Sequence, residues 1–187
     1  MNPAVFPTFK YHPDPIATGS VAESDTQCLC CERKSGFIYT GPVYAFEDLD
    51  NKICPWCIAD GTAAEKFDAT FVDEEAVGED ELSVETQDKV ARRTPGFAGW
   101  QQERWLSCCN DAAAFLGPMG RKELEALGPA AIVALQHCTG LEGDELNTFF
   151  ASLDRDNGPT AFVFKCLHCS ALKTYADCAE GMIVAGA

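Results

Sequence analysis

Cys28-Leu29-Cys30-Cys31 and Cys54-Pro55-Trp56-Cys57 are the two stretches whose reading decides how this chain folds. Each sets two thiols three positions apart, Cys28 with Cys31 and Cys54 with Cys57. Twenty-two residues separate the pairs, slightly more than the usual spacing but ample for a two-stranded hairpin. Brought together, four such thiolates form a tetrahedral sulfur cage suited to Zn²⁺, and the backbone amides of each knuckle offset part of the thiolate charge. Cys30 falls between two candidate ligands and reads as a spare that can exchange with Cys28 or Cys31.

Working outward, a second set emerges from Cys108 and Cys109 in WLSCCND and from Cys166 and Cys169 in KCLHCS. The pair Cys166/Cys169 repeats the knuckle spacing. The pair Cys108/Cys109 is adjacent, which strains chelation, so Cys138, Cys178, His137 and His168 stand as further candidates for that site. For Cys138 and Cys178 the burial of a small, weakly polar side chain is the commoner fate. Eight candidate ligands, Cys28, Cys31, Cys54, Cys57, Cys108, Cys109, Cys166 and Cys169, imply two Zn²⁺ per chain in closed, structural sites. A catalytic zinc keeps three protein ligands and an open position for water.

Eleven cysteines in 187 residues fit either disulfides or metal. MNPAVFPTFKYHPDP has no basic segment, apolar run or small-residue cleavage site of a secretory signal. No stretch approaches the roughly 20 apolar residues of a membrane span. A cytoplasmic protein with reduced thiols is expected, which favours zinc over disulfides. The formal net charge of −15 opposes binding to nucleic acid and insertion into anionic membranes. The same charge favours encounter with a basic protein partner, although solubility alone also accounts for it.

The rest of the chain supports an α+β fold of small zinc-stapled hairpin modules packed with a helical middle region. Residues 1–72 read as an N-terminal arm followed by a zinc-ribbon or treble-clef-like module. In it, FIYTGPVYAF forms the hairpin between two knuckles, and the Ala-rich run from Thr62 forms a short helix. His12 and Asp14 lie in YHPDP, where flanking prolines favour a stiff, capped turn over acid–base chemistry. Residues 73–94 read as an acidic, solvated linker with short ordered pieces. Residues 95–187 read as a helical region closed by a C-terminal zinc knuckle. Phe97, Trp100 and Trp105 anchor its core on a turn and a helix, and further helices follow at Asp111–Leu116, Arg121–Leu127, Pro129–Cys138 and Asp144–Leu153. Pro129 suits a first turn and Gly140 a stop. AFVFKCLHCSALKTYADC reads as strand, knuckle and strand.

FPTFKYHPDPIATGSV, CLCC, YTGPVY, ICPWCIADGTAAEKF, TPGFAGWQQERWL and FKCLHC, in this order over nearly the whole chain, resemble the CbrC-like bacterial family. The resemblance implies tolerance to a nuclease-type colicin, with no enzymatic mechanism attached. The family pattern HCxDxCAF falls on Cys108, Cys109, Asp111, Ala113 and Phe115. Here Cys108 replaces the histidine and Ala113 the later cysteine, so the fourth ligand of the second site is left to a residue such as Cys108. Position 113 is expected to share a helical face with Cys109. The expected function is a non-enzymatic interaction factor of immunity or tolerance type, facing a basic nuclease toxin. The rival is an enzyme: a thiol oxidoreductase using Cys54 and Cys57, or a zinc hydrolase at the second site. CPWC lacks the preceding strand and long following helix that thioredoxin-like chemistry needs. Nucleotide-binding glycine motifs, GxSxG and HExxH are absent from the sequence.

Overall fold

A computed structural model describes residues 5–77 and 82–177. The fold is mixed α+β, with three small antiparallel sheets and six α-helices among the described residues. Its chain divides into two compact units. One takes the residues up to Ala98 together with Glu103–Trp105, and the other takes Gly99–Gln102 and everything from Leu106 onward.

In the first unit, β1 (Val21–Gln27) and β2 (Lys34–Tyr39) pair antiparallel, in register from Val21 opposite Tyr39 to Gln27 opposite Lys34, with a bulge between Ser24 and Gln27. This hairpin flanks the first cysteine knuckle, whereas the sequence placed it after the knuckle. Of FIYTGPVYAF only Phe37–Tyr39 is strand, and the chain beyond Pro42 makes a single bridge, Tyr44 with Thr70. Gly41-Pro42 turns the chain toward Phe71 instead of folding it back on β2, because the Tyr39 hydroxyl is tied to Pro42, Phe71 and Gly96. Helices α1 (Pro55–Ala59) and α2 (Thr62–Phe67) follow, the latter as expected from its alanines. Val21, Tyr39, Leu49, Ile53, Ile58, Ala63 and Phe71 form the buried core around them.

The acidic stretch then tightens into a 3-10 turn (Glu75–Val77) and contributes the start of α3 (Val84–Arg93). Three signals build this helix. The Ser83 hydroxyl accepts the Thr86 N–H at 3.2 Å, Val90 and Ala91 are buried on one face, and Arg92 and Arg93 occupy the last turn, where positive charge suits the helix dipole. Its polar flank meets Asp68, Glu74 and Asp88 through Arg92. Phe97 and Trp105 are buried and in ring contact, but no helix forms between Thr94 and Leu106, and Trp100 is 55% exposed. Pro95, Gly96 and Gly99 in this short run oppose helix formation.

The second unit is built on β5 (Ala114–Met119), β6 (Thr160–Lys165) and β7 (Leu172–Asp177), an antiparallel sheet in that order. β6 is central and buried on both faces. Ala161 and Val163 face a cluster with Leu124, Ala131, Leu135 and Leu153, while Phe162 and Phe164 stack with Phe115 and Tyr175. Helices α4 (Arg121–Leu127), α5 (Pro129–Thr139) and α6 (Gly143–Ser152) supply the aliphatic side. Pro129 opens α5 and Gly140, at φ 67°, closes it as the sequence implied.

The helix expected at Asp111–Leu116 is a correction. Ser107–Cys108 (β3) pairs with Asp111–Ala112 (β4), and Ala114–Leu116 already belongs to β5. Six residues of helical propensity are too few to stand alone, and pairing with β6 outweighs them. Ala113 is buried between the strands and does not share a helical face with Cys109. Among the described residues, no helix is long and apolar enough to cross a membrane.

Candidate metal centres

β1 delivers Cys28 into a tight loop. The Cys28 N–H donates to Arg33 O at 2.9 Å, the Glu32 N–H donates to Cys28 O at 2.8 Å, and Glu32 adopts a left-handed φ of 58°. Lys66 Nζ reaches from α2 to the carbonyls of Leu29 (3.3 Å) and Cys30 (3.0 Å), fastening the loop. The second pair belongs to a helix start, where a second loop knuckle was expected. Cys54 is the N-cap of α1, Pro55 occupies its first turn, and Cys57 lies one turn on. The first pair thus comes from a hairpin loop and the second from a helix N-terminus.

Sulfur to sulfur, Cys28–Cys57 is 3.9 Å, Cys31–Cys54 3.8 Å and Cys54–Cys57 3.6 Å. A disulfide requires about 2.05 Å, and these thiols are free. Four sulfurs each about 2.3 Å from a central zinc stand about 3.8 Å apart along the edges of a tetrahedron. The cluster has those dimensions. The Cys54 N–H also donates to Cys28 Sγ at 3.3 Å. Cys30 lies outside the set, its Sγ 3.7 Å from Thr62 Oγ1.

The second cluster, Cys108, Cys109, Cys166 and Cys169, repeats half of this construction. The Cys166 N–H donates to Ala171 O at 2.8 Å, the Ser170 N–H donates to Cys166 O at 3.1 Å, and Ser170 is left-handed at φ 61°. Bond for bond this is the Cys28 loop, with Ser170 in the place of Glu32 and Ala171 in that of Arg33. The N–H groups of His168 and Cys169 both donate to Cys166 Sγ at 3.4 Å. The other half differs: Cys109 (φ 56°) and Asn110 (φ 59°) are the two central residues of the β3–β4 hairpin. A two-residue turn with both φ positive has the type I′ form. It allows adjacent cysteines to aim at one point: Cys108 Sγ is 3.8 Å from both Cys109 Sγ and Cys169 Sγ. Only the Asn of this turn signals it in the sequence.

The family profile of UPF0167, described as an uncharacterised protein family, matches residues 6–178. The chain belongs to the UPF0167 family. UPF0167 proteins of Mycobacterium bovis and Mycobacterium tuberculosis are each 47% identical over 179 residues, covering 94% of this chain and 95% of the relative. A UPF0167 protein of Pseudomonas aeruginosa is 39% identical over 170 residues, covering 90% and 94%. No solved structure matches significantly.

Electrostatics in this UPF0167 chain favour a cation at both clusters. The Cys28 thiol is pushed down to about 4, chiefly by hydrogen bonding from Cys54, with backbone amides assisting against burial. Cys54 is pushed up, chiefly by that same bond, and Cys57 by burial. In the second cluster the Cys169 amide leads in pushing Cys166 down to about 6, while the bond to Cys166 pushes Cys108 up to about 12. Each cluster therefore carries one easily formed thiolate whose charge resists the next. A dication among the sulfurs removes that resistance.

The other candidates lie elsewhere. His168 Nε2 pairs with Asp111 Oδ2 at 3.0 Å, outside the sulfur group. His137 and Cys138 are on α5, the latter packed against the aliphatic cluster. Cys178 lies outside the described residues. Buried His12 bonds Pro95 O through Nδ1 and Thr18 Oγ1 through Nε2, each at 2.7 Å, and Asp14 Oδ1 accepts the Ala17 N–H at 3.0 Å, as in a capped turn.

Proposed function

We propose that this chain holds two Zn²⁺ in structural sites and acts in the cytoplasm as a non-enzymatic, acidic interaction factor for a basic protein. The observation that carries the reading is the pair of four-sulfur clusters, with sulfur–sulfur edges of 3.6–3.9 Å in the first and 3.8 Å in the second. All-thiolate donors in tetrahedral array suit zinc, and four protein ligands leave no position for a reacting water. Cys54 and Cys57 are each 1% exposed at the start of a five-residue helix, which supports a structural role over dithiol exchange.

The net charge of −15 supplies long-range attraction for a cationic surface. Resemblance to the CbrC-like family narrows the partner to a basic nuclease toxin and the role to tolerance or immunity; this step is by analogy. Elemental analysis of the purified chain, with thiol titration before and after denaturation in chelator, tests the first half. Two zinc per chain with thiols released only on denaturation is the expected result, and little metal with freely reactive thiols overturns it. Titration with a basic nuclease at rising salt tests the second half. Saturable binding that weakens with salt is expected, and none at low salt removes the toxin reading.

A further inference from the structure

The two clusters differ in access. Cys28, Cys54 and Cys57 of the first are buried, and Cys31 is half-buried. In the second only Cys166 is buried; Cys108 is half-buried, and Cys109 and Cys169 are exposed. Oxidation of cysteine follows thiolate character and exposure, and metal-bound sulfur keeps the thiolate. We propose that the second cluster is an oxidant-releasable metal centre at which a hydroperoxide links Cys169 to Cys108, while the first cluster keeps its ion. This rests on the zinc reading above.

The Cys169 thiolate attacks the peroxide O–O bond and becomes a sulfenic acid, the distal oxygen leaving with a proton as water or an alcohol. The Cys108 sulfur, 3.8 Å away, then displaces hydroxide, which takes a second proton to form water. The sum for hydrogen peroxide is two thiolates, one H₂O₂ and two protons giving one disulfide and two waters. Two of the four ligands are consumed, and Zn²⁺ departs to solvent. Cys108 and Cys169 lie 61 positions apart in sequence, so their disulfide closes no strained small ring. A Cys108–Cys109 bond would close one across adjacent residues and disrupt the left-handed turn at Cys109.

The test uses the full-length, zinc-loaded chain, with metal content determined first. Graded hydrogen peroxide is added with a chromogenic chelator present, and non-reducing peptide mapping follows. Expected are one zinc equivalent released about tenfold or more faster than the other, as exposure dictates, and a Cys108–Cys169 disulfide in the fast product. The Cys30→Ser variant, which removes the partly exposed thiol beside the first cluster, should release zinc unchanged. Two equivalents released together, none released, or a disulfide confined to other cysteines overturns the proposal and leaves the zinc reading intact. A starting preparation without zinc overturns both.

Discussion

Tyr39 shows how one hydroxyl organises the first unit. Its ring is buried against Phe71, and its oxygen accepts the Gly96 N–H at 3.0 Å while facing the carbonyls of Pro42 and Phe71. Tyr39→Phe keeps the packing but strands buried polar groups, and should cost about 1–3 kcal/mol in urea unfolding. Gly96 is fixed by the same junction, since a Cβ there would lie 2.0 Å from Phe71 O. His12 adds a pH signature. Burial pushes its imidazole down to about 4, against about 6.5 in the unfolded chain. Between those values the unfolded chain binds the extra proton, so stability is full above pH 6.5 and falls as pH drops toward 4, by about 3 kcal/mol. The difference in unfolding free energy between wild type and His12→Gln should shrink by about 2.4 kcal/mol between pH 7 and pH 4.5; acid loss of metal is common to both. YHPDP announced a capped turn, but the Pro95 partner lies 83 residues away and left no local trace.

Among the elements, the two cysteine loops are the same object built twice, with Glu32 and Ser170 holding the left-handed position after each second cysteine. Their i, i+3 spacing is readable because all the geometry lies within six residues. The β3–β4 turn is the contrasting case. Left-handed Asn110 tolerates its φ of 59°, whereas a β-branched residue does not. Asn110→Val should therefore cost about 1–2 kcal/mol and lower zinc stoichiometry toward one per chain, while Asn110→Gly retains both ions; metal analysis after dialysis distinguishes them. The alanines at 112–114 mask this hairpin as a helix, because propensity is local and the pairing partner of β5, Thr160–Lys165, is distant in sequence. α3 was obscured in the opposite way, by an acidic composition that hid its two buried positions, Val90 and Ala91.

Across both units, structural zinc is worth about 10–16 kcal/mol in small finger peptides, against about 5–15 kcal/mol for the net stability of a domain. Cys57→Ser should therefore remove one zinc and unfold the first unit, seen as lost near-UV signal from Tyr39 and Trp56. Because the second cluster draws all its ligands from the second unit, its ion should remain. The sequence by itself determined the α+β class, the two cysteine sets, the knuckle ends, the helices from Arg121 to Ser152 and the acidic charge. These follow from spacing, periodicity and composition over short windows. Tertiary structure decided that adjacent Cys108 and Cys109 reach one point, that Cys30 and His168 stand aside, that Asp111–Ala112 and Ala114–Leu116 are strand and not helix, and that three cysteines of the first cluster are buried while two of the second are exposed. Strand pairing with Thr160–Lys165 and the side-chain contacts of Cys30 with Thr62 and of His168 with Asp111 join residues far apart in the chain, and the left-handed turn at Cys109 and Asn110 is a conformation that local propensity disfavours.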